Sequence, residues 1–276
     1  MDEKLQKVLA RSGVGSRREM ERWIEQGRIK VNDQVASIGD RVSDSDVIKV
    51  DNKPIHLRRT HVENRVIAYH KPVGEVCTRD DPEGRATIFK HLPKLKAGRW
   101  ISVGRLDLNT SGLLLLTTDG ELANKLMHPS SEVEREYAVR ILGEVSADII
   151  KQLKTSVPLE DGEAHFSDVK ESGGQGANHW YNVVLKEGRN REVRRLWEYF
   201  GFAVSRLMRV RYGNIVLERS LRPSKSEDLT LKQLQELYKL VGLEYVVPEP
   251  KVKKDKSRFK ANKNAKHSVY KGKSSR

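Results

Sequence analysis

The feature that most constrains this chain is a run of four leucines, Leu113 to Leu116, directly behind a polar turn in GRLDLNTSGLLLLTTDGE. An unbroken apolar run bounded by turn residues is a buried segment, strand or helix, and periodicity alone does not choose between them. Asp, Asn, Ser and Gly in LDLNTSG are ordinary turn residues. They set a carboxylate, Asp107, at the edge of buried structure. Whether Asp107 is more than a turn former depends on the partners the rest of the chain offers.

The chain has 276 residues, enough for one large domain or a small domain followed by a large one. No apolar stretch approaches the ~20 residues of a membrane span, and MDEKLQKVLARSG lacks the apolar core of a signal peptide. A single cysteine, Cys77, excludes an internal disulfide and a Cys-based zinc site. These features predict a cytoplasmic protein. The net charge of +14 suggests a polyanionic partner. Of the 52 basic and 38 acidic residues, eleven and one lie from Lys251 onward, so 41 and 37 remain for the body. Nucleic-acid binding by the body must therefore come from local patches.

The N-terminal segment reads as a small module. EKLQKVLARSG puts Leu5, Val8 and Leu9 on one helical face, and Gly13 closes it. In SRREMERWIEQG, Ser16 is an N-cap and Glu19 completes a capping box, with Met20, Trp23 and Ile24 as the apolar face. Short strands follow in RIKVN and DRVSDSDVIKVD. The module is expected to end near Leu57, with the boundary at residue 60. Arg17, Arg18, Arg22, Arg28 and Lys30 gather around the second helix and the strand after it. A solvated helix face explains any one of them; five together fit a phosphate-contacting face.

A larger domain is expected over residues 61–247. RVIAYHKPVGEVCT reads as a strand that breaks at Lys71-Pro72 and Gly74, and GELANKLMHP as a helix ended by Pro129. EVEREYAVRILG alternates Tyr137, Val139 and Ile141 as a strand does, and HWYNVVLKEG is a second strand. ADIIKQLKTSV, NREVRRLWEYFGF and LTLKQLQELYKLVGL are helices, and the glycine-rich SGGQGAN is a flexible hairpin loop. Strands and helices without βαβ alternation predict an α+β domain. Residues 248–276, rich in Lys, Asn and Ser, are expected to form a disordered basic tail.

The sequence has no P-loop, no GxGxxG after a strand, no HExxH and no Cys/His cluster, so nothing calls for a nucleotide cofactor or a metal. Three segments combine reactive residues with apolar framing: GRLD before the leucines, EREYAV with Tyr137, and EGRNREVRRLW with Arg191, Arg194 and Arg195. Arg194 lies between Val193 and the pair Leu196–Trp197, a place where an arginine turns inward only to meet something anionic. Asp107 is the natural partner; a surface helix whose basic residues contact solvent or RNA phosphate is the other reading.

LQKVLARSGVGSRREMERWIEQGRIKVNDQVA resembles an S4 RNA-binding domain, including its SRR framework from Ser16. GRLDLNTSGLLLLTTDGELANKLMHP, EREYAV and EGRNREVRRL are similar, in order, to the three motifs of the pseudouridine synthases of the ribosomal-RNA branch with an N-terminal S4 domain. HKPVGEVCT resembles the strand opening that catalytic domain, with His70 in place of the usual Asn. MHPSSEVEREY looks most like the large-subunit subfamily B.

The resemblance implies an S4 domain followed by a catalytic domain built on a mixed, largely antiparallel sheet. It implies isomerisation of an RNA uridine to pseudouridine, without cofactor, after the base is flipped from its stack. By the resemblance Asp107 is the essential carboxylate, Arg194 pairs with it, and Tyr137 stacks on the base. Leu196 lines the opposite wall, and Arg105 replaces the extruded base or holds its phosphate. Ser16, Arg17, Arg18, Arg22, Arg28 and Lys30 contact RNA. The expected partner is large-subunit ribosomal RNA, bound by a monomer and without a membrane. The alternatives are a synthase acting on 16S ribosomal RNA or transfer RNA, or a non-enzymatic S4 chaperone or assembly factor.

Overall fold

The capping box at Ser16 is formed: the Glu19 amide donates to Ser16 Oγ at 3.1 Å, and the Ser16 amide to Glu19 Oε2 at 3.1 Å. It starts helix α2 (Arg17–Glu25), which packs on α1 (Leu5–Arg11). A four-stranded antiparallel sheet follows, from β1 (Ile29–Val31), β2 (Gln34–Val35), β3 (Ile48–Val50) and β4 (Lys53–Ile55), in the order β2-β1-β3-β4. Leu5, Leu9, Met20, Ile24, Ile29 and Ile48 close one small core between helices and sheet. Leu5, Leu9, Met20 and Ile24 are apolar positions of the helical pattern and Ile29 and Ile48 come from the strands, each side chain worth roughly 1.5–3 kcal/mol when fully buried.

The computed structural model describes residues 2–55 and 64–247. The module end near Leu57, the domain boundary at residues 60–61 and the basic tail from residue 248 lie outside the described residues.

The leucine run is a strand. β5 (Val66–Lys71) and β6 (Ser111–Thr117) pair antiparallel in a nine-stranded sheet. Helix α3 (Gly120–Met127), capped by Asp119, leads to β7 (Arg135–Leu142) and α4 (Ala147–Thr155). A hairpin of β8 (Asp168–Gln175) and β9 (Asn178–Leu185) is followed by α5 (Glu192–Tyr199), β10 (Val204–Tyr212), β11 (Ser226–Asp228) and α6 (Leu231–Leu240). The main order is β8-β9-β7-β10-β6-β5-β11, and only β10 and β6 run parallel among the described pairs. Mixed and mostly antiparallel, the sheet carries an α+β arrangement.

Both faces of β6 are covered, which is why four leucines run without a polar break. Leu114 and Leu116 join a core with Tyr137, Val139, Val193, Leu196 and Trp197. Leu113 and Leu115 join a second core with Leu122, Leu126, Tyr212, Leu237 and Tyr238. Where β6 begins, Gly112 has φ +106°, and a Cβ there would stand 2.2 Å from the Arg209 carbonyl oxygen. Only glycine lets β6 and β10 approach this closely.

Two readings change. SGGQGAN is mostly strand: β8 continues through Gln175 past a bulge between Glu171 and Gly173, leaving the turn to Gly176 and Ala177. VSRLMRVRY, without an assignment from its pattern, is the strand beside β6 near the middle of the sheet. Register shifts between Glu136 and Tyr137 and between Arg140 and Ile141 break its two-residue period. No helix of the described residues is long and apolar enough to cross a membrane.

Candidate active site

Asp107 lies in the loop between the two-residue strand Ile101–Ser102 and β6. Four neighbours fix this loop by its backbone. Lys71, at the end of β5 and fully buried, donates from Nζ to the carbonyls of Pro72 (3.0 Å), Asp107 (3.0 Å) and Thr110 (2.8 Å). Three acceptors use all the donors of an ammonium. Burial lowers the Lys71 pKa, while the charges of Cys77, Glu75 and Asp107 oppose that shift. The Leu106 amide contacts Cys77 Sγ at 3.4 Å, and the Gly74 amide donates to Leu108 O at 2.9 Å.

Arg194 is the fourth neighbour. It is turned inward on α5, 8% exposed, but it does not close an ion pair with Asp107. Nη1 donates to Val204 O at 2.8 Å and Nη2 to Asn109 O at 2.9 Å. The expected pairing is corrected to a clamp: the guanidinium holds the loop two residues beyond the carboxylate. Burial lowers its pKa, and the charges of Asp107 and Glu198 raise it in part. Asp107 is thus an electrostatic neighbour of Arg194 without a direct bond. Of the other arginines of this segment, Arg195 makes a bidentate pair with Asp161 (2.8 and 2.9 Å), and Arg191 meets Glu198 at 3.3 Å.

The loop opens on a cavity of about 780 Å³ whose walls include Arg105, Asp107, Thr110, Arg135, Tyr137, Val193 and Arg209. Arg105 is exposed at its rim. Tyr137 on β7 presents its ring to the same space with 9% exposure. Leu196 does not line the cavity. It is fully buried in the core, and Val193, three residues earlier on α5, takes the wall position. Arg135 frames the far side, donating from Nη1 to Lys186 O and Glu187 O at 2.7 Å each. Glu192 is 3% exposed there; burial raises its pKa against the hydrogen bond from the Arg189 amide.

Sequence reasoning passed over Lys71, Thr110, Val193 and Arg209. Lys71 stood in HKPVG, read only as a strand break, and Arg209 lay in the unassigned strand. Bulges break the two-residue period of that strand, so no alternation marked Arg209 as inward-facing.

On the N-terminal module, Arg17, Arg18 and Arg22 are exposed and carry no ion pair among the described residues. Two of the predicted contacts are engaged within the protein. The Ser16 oxygen caps α2, and Arg28 makes a bidentate pair with Asp51 (2.8 and 2.6 Å) with its guanidinium 4.2 Å from the Trp23 ring. Lys30 is half-buried on β1.

Residues 65–199 match the family described as RNA pseudouridylate synthase, and residues 3–48 match the S4 domain. A Yersinia pestis protein named ribosomal large subunit pseudouridine synthase B is 57% identical over 267 residues, covering 95% of this chain and 84% of that one. The chain belongs to this pseudouridine synthase family. The protein of the same name from Escherichia coli (strain K12) is 56% identical over 269 residues, covering 95% of this chain and 91% of its own. A crystal structure of a pseudouridylate synthase, 27% identical, matches with a TM-score of 0.60 over 85% of this chain and 99% of that one. Asp107, Tyr137 and Arg194 fall inside the matched synthase segment; β10 with Arg209 falls after it.

Proposed function

We propose that the protein isomerises uridine to pseudouridine in large-subunit ribosomal RNA, with Asp107 as the reacting carboxylate. The observation that carries this reading is the placing of Asp107. It stands on a cavity shared with Tyr137, in a loop whose backbone is fixed by two buried cations, Lys71 and Arg194. The space suits one nucleotide, since small-molecule sites run from about 300 to 1,000 Å³. The high identity to large-subunit synthases supports the substrate.

The target base leaves its stack, at a cost of roughly a few kcal/mol, because the reacting bonds are out of reach inside a helix. Asp107 acts on the sugar as nucleophile or base, and the N1–C1′ bond breaks with its electron pair staying on the base. The base turns and C5 bonds to C1′ as the bond to Asp107 breaks or the proton it took returns to the sugar; the C5 proton then leaves while N1 takes one up, so redox state and atom count are unchanged. Tyr137 supplies a stacking face for the base. Arg194 and Lys71 keep the loop from moving when charge develops. Arg105 at the rim meets the flipped nucleotide's phosphate or fills the gap it leaves.

Arg17, Arg18, Arg22 and Lys30 dock the RNA backbone, and the basic tail adds affinity that depends on salt rather than sequence. Ser16 and Arg28 contribute through the fold of that module. The protein works as a monomer in the cytoplasm, where its substrate is made. The test is nucleoside analysis of large-subunit, small-subunit and transfer RNA transcripts after incubation with the full-length protein. Pseudouridine at one position of the large-subunit transcript is expected. Product only in another RNA would replace the substrate, and tight binding without product anywhere would leave a binding protein.

A further inference from the structure

We propose that Arg209 and Thr110 form a buried subsite that receives a ring carbonyl oxygen of the flipped base and sets the preference for uracil over cytosine. The inference rests on the isomerase reading above. Arg209 and Thr110 are each 2% exposed, and both line the cavity that holds Asp107 and Tyr137. Arg209 is anchored by Nε, which donates to Leu113 O at 2.7 Å, and by the Tyr212 ring, whose centre is 5.1 Å from its guanidinium carbon. Its Nη2 has no acceptor, and Thr110 Oγ1 has no partner. No carboxylate pairs with Arg209 among the described residues.

A buried donor without an acceptor is uncommon and costly, more so when charged, and here the two unpartnered groups belong to residues on the wall of the cavity that holds Asp107. In the β7–β10 ladder Tyr137 stands directly opposite Arg209. Residues directly opposite in an antiparallel ladder project from the same face, so a base stacked on the Tyr137 ring lies on the face of the sheet from which Arg209 projects. Arginine donates and never accepts, so the atom it meets must be an acceptor.

Uracil carries carbonyl oxygens at C2 and C4, on either side of N3. When the base turns to offer C5 in place of N1, these two oxygens exchange places, so the subsite meets a carbonyl before and after the turn. Cytosine has an amino group at C4, and in one of the two orientations it sets donor against donor. A site built to make a hydrogen bond rejects the analogue that cannot make it far more strongly than an apolar pocket rejects a change of size. While the N1–C1′ bond is broken the electron pair left on the base spreads onto both oxygens, where the guanidinium stabilises it.

The test uses the full-length protein, a large-subunit transcript, and the same transcript with 2-thiouridine or 4-thiouridine at the target position. Arg209→Met removes the donors at similar length, and Thr110→Val removes the hydroxyl at similar shape. Arg209→Met is expected to lower kcat/KM on uridine at least about tenfold, and Thr110→Val about threefold or more, with RNA affinity unchanged. The wild type is expected to turn over at least one thio-substrate more slowly than uridine, sulfur being the weaker acceptor, and Arg209→Met to lose that difference. Thr110→Val retains the fold, because its hydroxyl has no partner in the protein, and it decides the matter should Arg209→Met fail to fold. Wild-type rates with an unchanged thio-effect in folded Thr110→Val overturn the subsite. Absence of pseudouridine from the wild type on every RNA would instead defeat the isomerase reading.

Discussion

Replacing Gly112 with alanine tests the junction on which the site is built. The added Cβ would lie 2.2 Å from the Arg209 oxygen, 2.6 Å from its nitrogen and 2.9 Å from its carbonyl carbon, all backbone atoms that cannot rotate away. Ordinary contact begins near 3.4 Å, so β6 and β10 must part by about 1 Å. Overpacking of this kind costs about 1–3 kcal/mol. The positive φ of +106° adds about 1–2 kcal/mol for an L-residue. The sum, about 2–5 kcal/mol, is a large part of the ~5–15 kcal/mol that holds a domain folded. At about 2–4 °C per kcal/mol, thermal melting should fall by about 4–20 °C. The parallel ladder consists of Met208 opposite Ser111 and Arg209 opposite Gly112, so the strain falls on the strand leaving the Asp107 loop. Isomerase turnover should drop further than stability alone explains. Gly104→Ala is the control: φ is +76° there, but nothing lies within 4 Å of the new Cβ, so only the conformational cost remains. Melting of Gly112→Ala within a degree or two of Gly104→Ala would refute the close-approach reasoning.

Two further outcomes follow from other parts of the molecule. Replacing Arg17, Arg18 and Arg22 together by glutamine should weaken all RNAs alike and reduce the slope of log K against log salt by about 2. Arg28→Gln, whose cation already faces Asp51, should change the slope less, and an equal loss from Arg28 alone would count against that assignment. Burial raises the Glu192 pKa, so its contribution to stability is present below the unfolded carboxyl value and lost as pH rises through the folded one. Glu192→Gln should therefore gain melting temperature relative to wild type at about pH 7.5 and show no gain at about pH 3.5. The same offset at both pH values would mean that ionisation of Glu192 is not what burial opposes.

Much of this was legible from the sequence where one residue answered to one local rule. Ser16 and Glu19 make a capping box by spacing alone, and four leucines behind a turn announce burial on all sides. Arg194, flanked by Val193 and Leu196–Trp197, reads as turning inward, and it does. What it meets was not legible, because the loop presents the carbonyl of Asn109 to it rather than the carboxylate of Asp107. Val193 and Leu196 differ by less than one helical turn, and which of them faces the cavity depends on how α5 is rolled against the sheet. The strand Val204–Tyr212 was hidden by its own bulges, and Arg209 with it. Lys71 needed the fold: its three acceptors come from two chain segments, the farther reaching Thr110, 39 residues from the lysine.

The most direct test of the central claim is tritium release from a large-subunit ribosomal RNA transcript labelled with [5-³H]uridine, comparing wild type with Asp107→Ala. The C5 hydrogen leaves only when C5 becomes the new point of attachment. Release by the wild type that Asp107→Ala abolishes, with RNA binding intact in both, is the predicted result. Release by Asp107→Ala at the wild-type rate would contradict the assignment of the chemistry to this carboxylate.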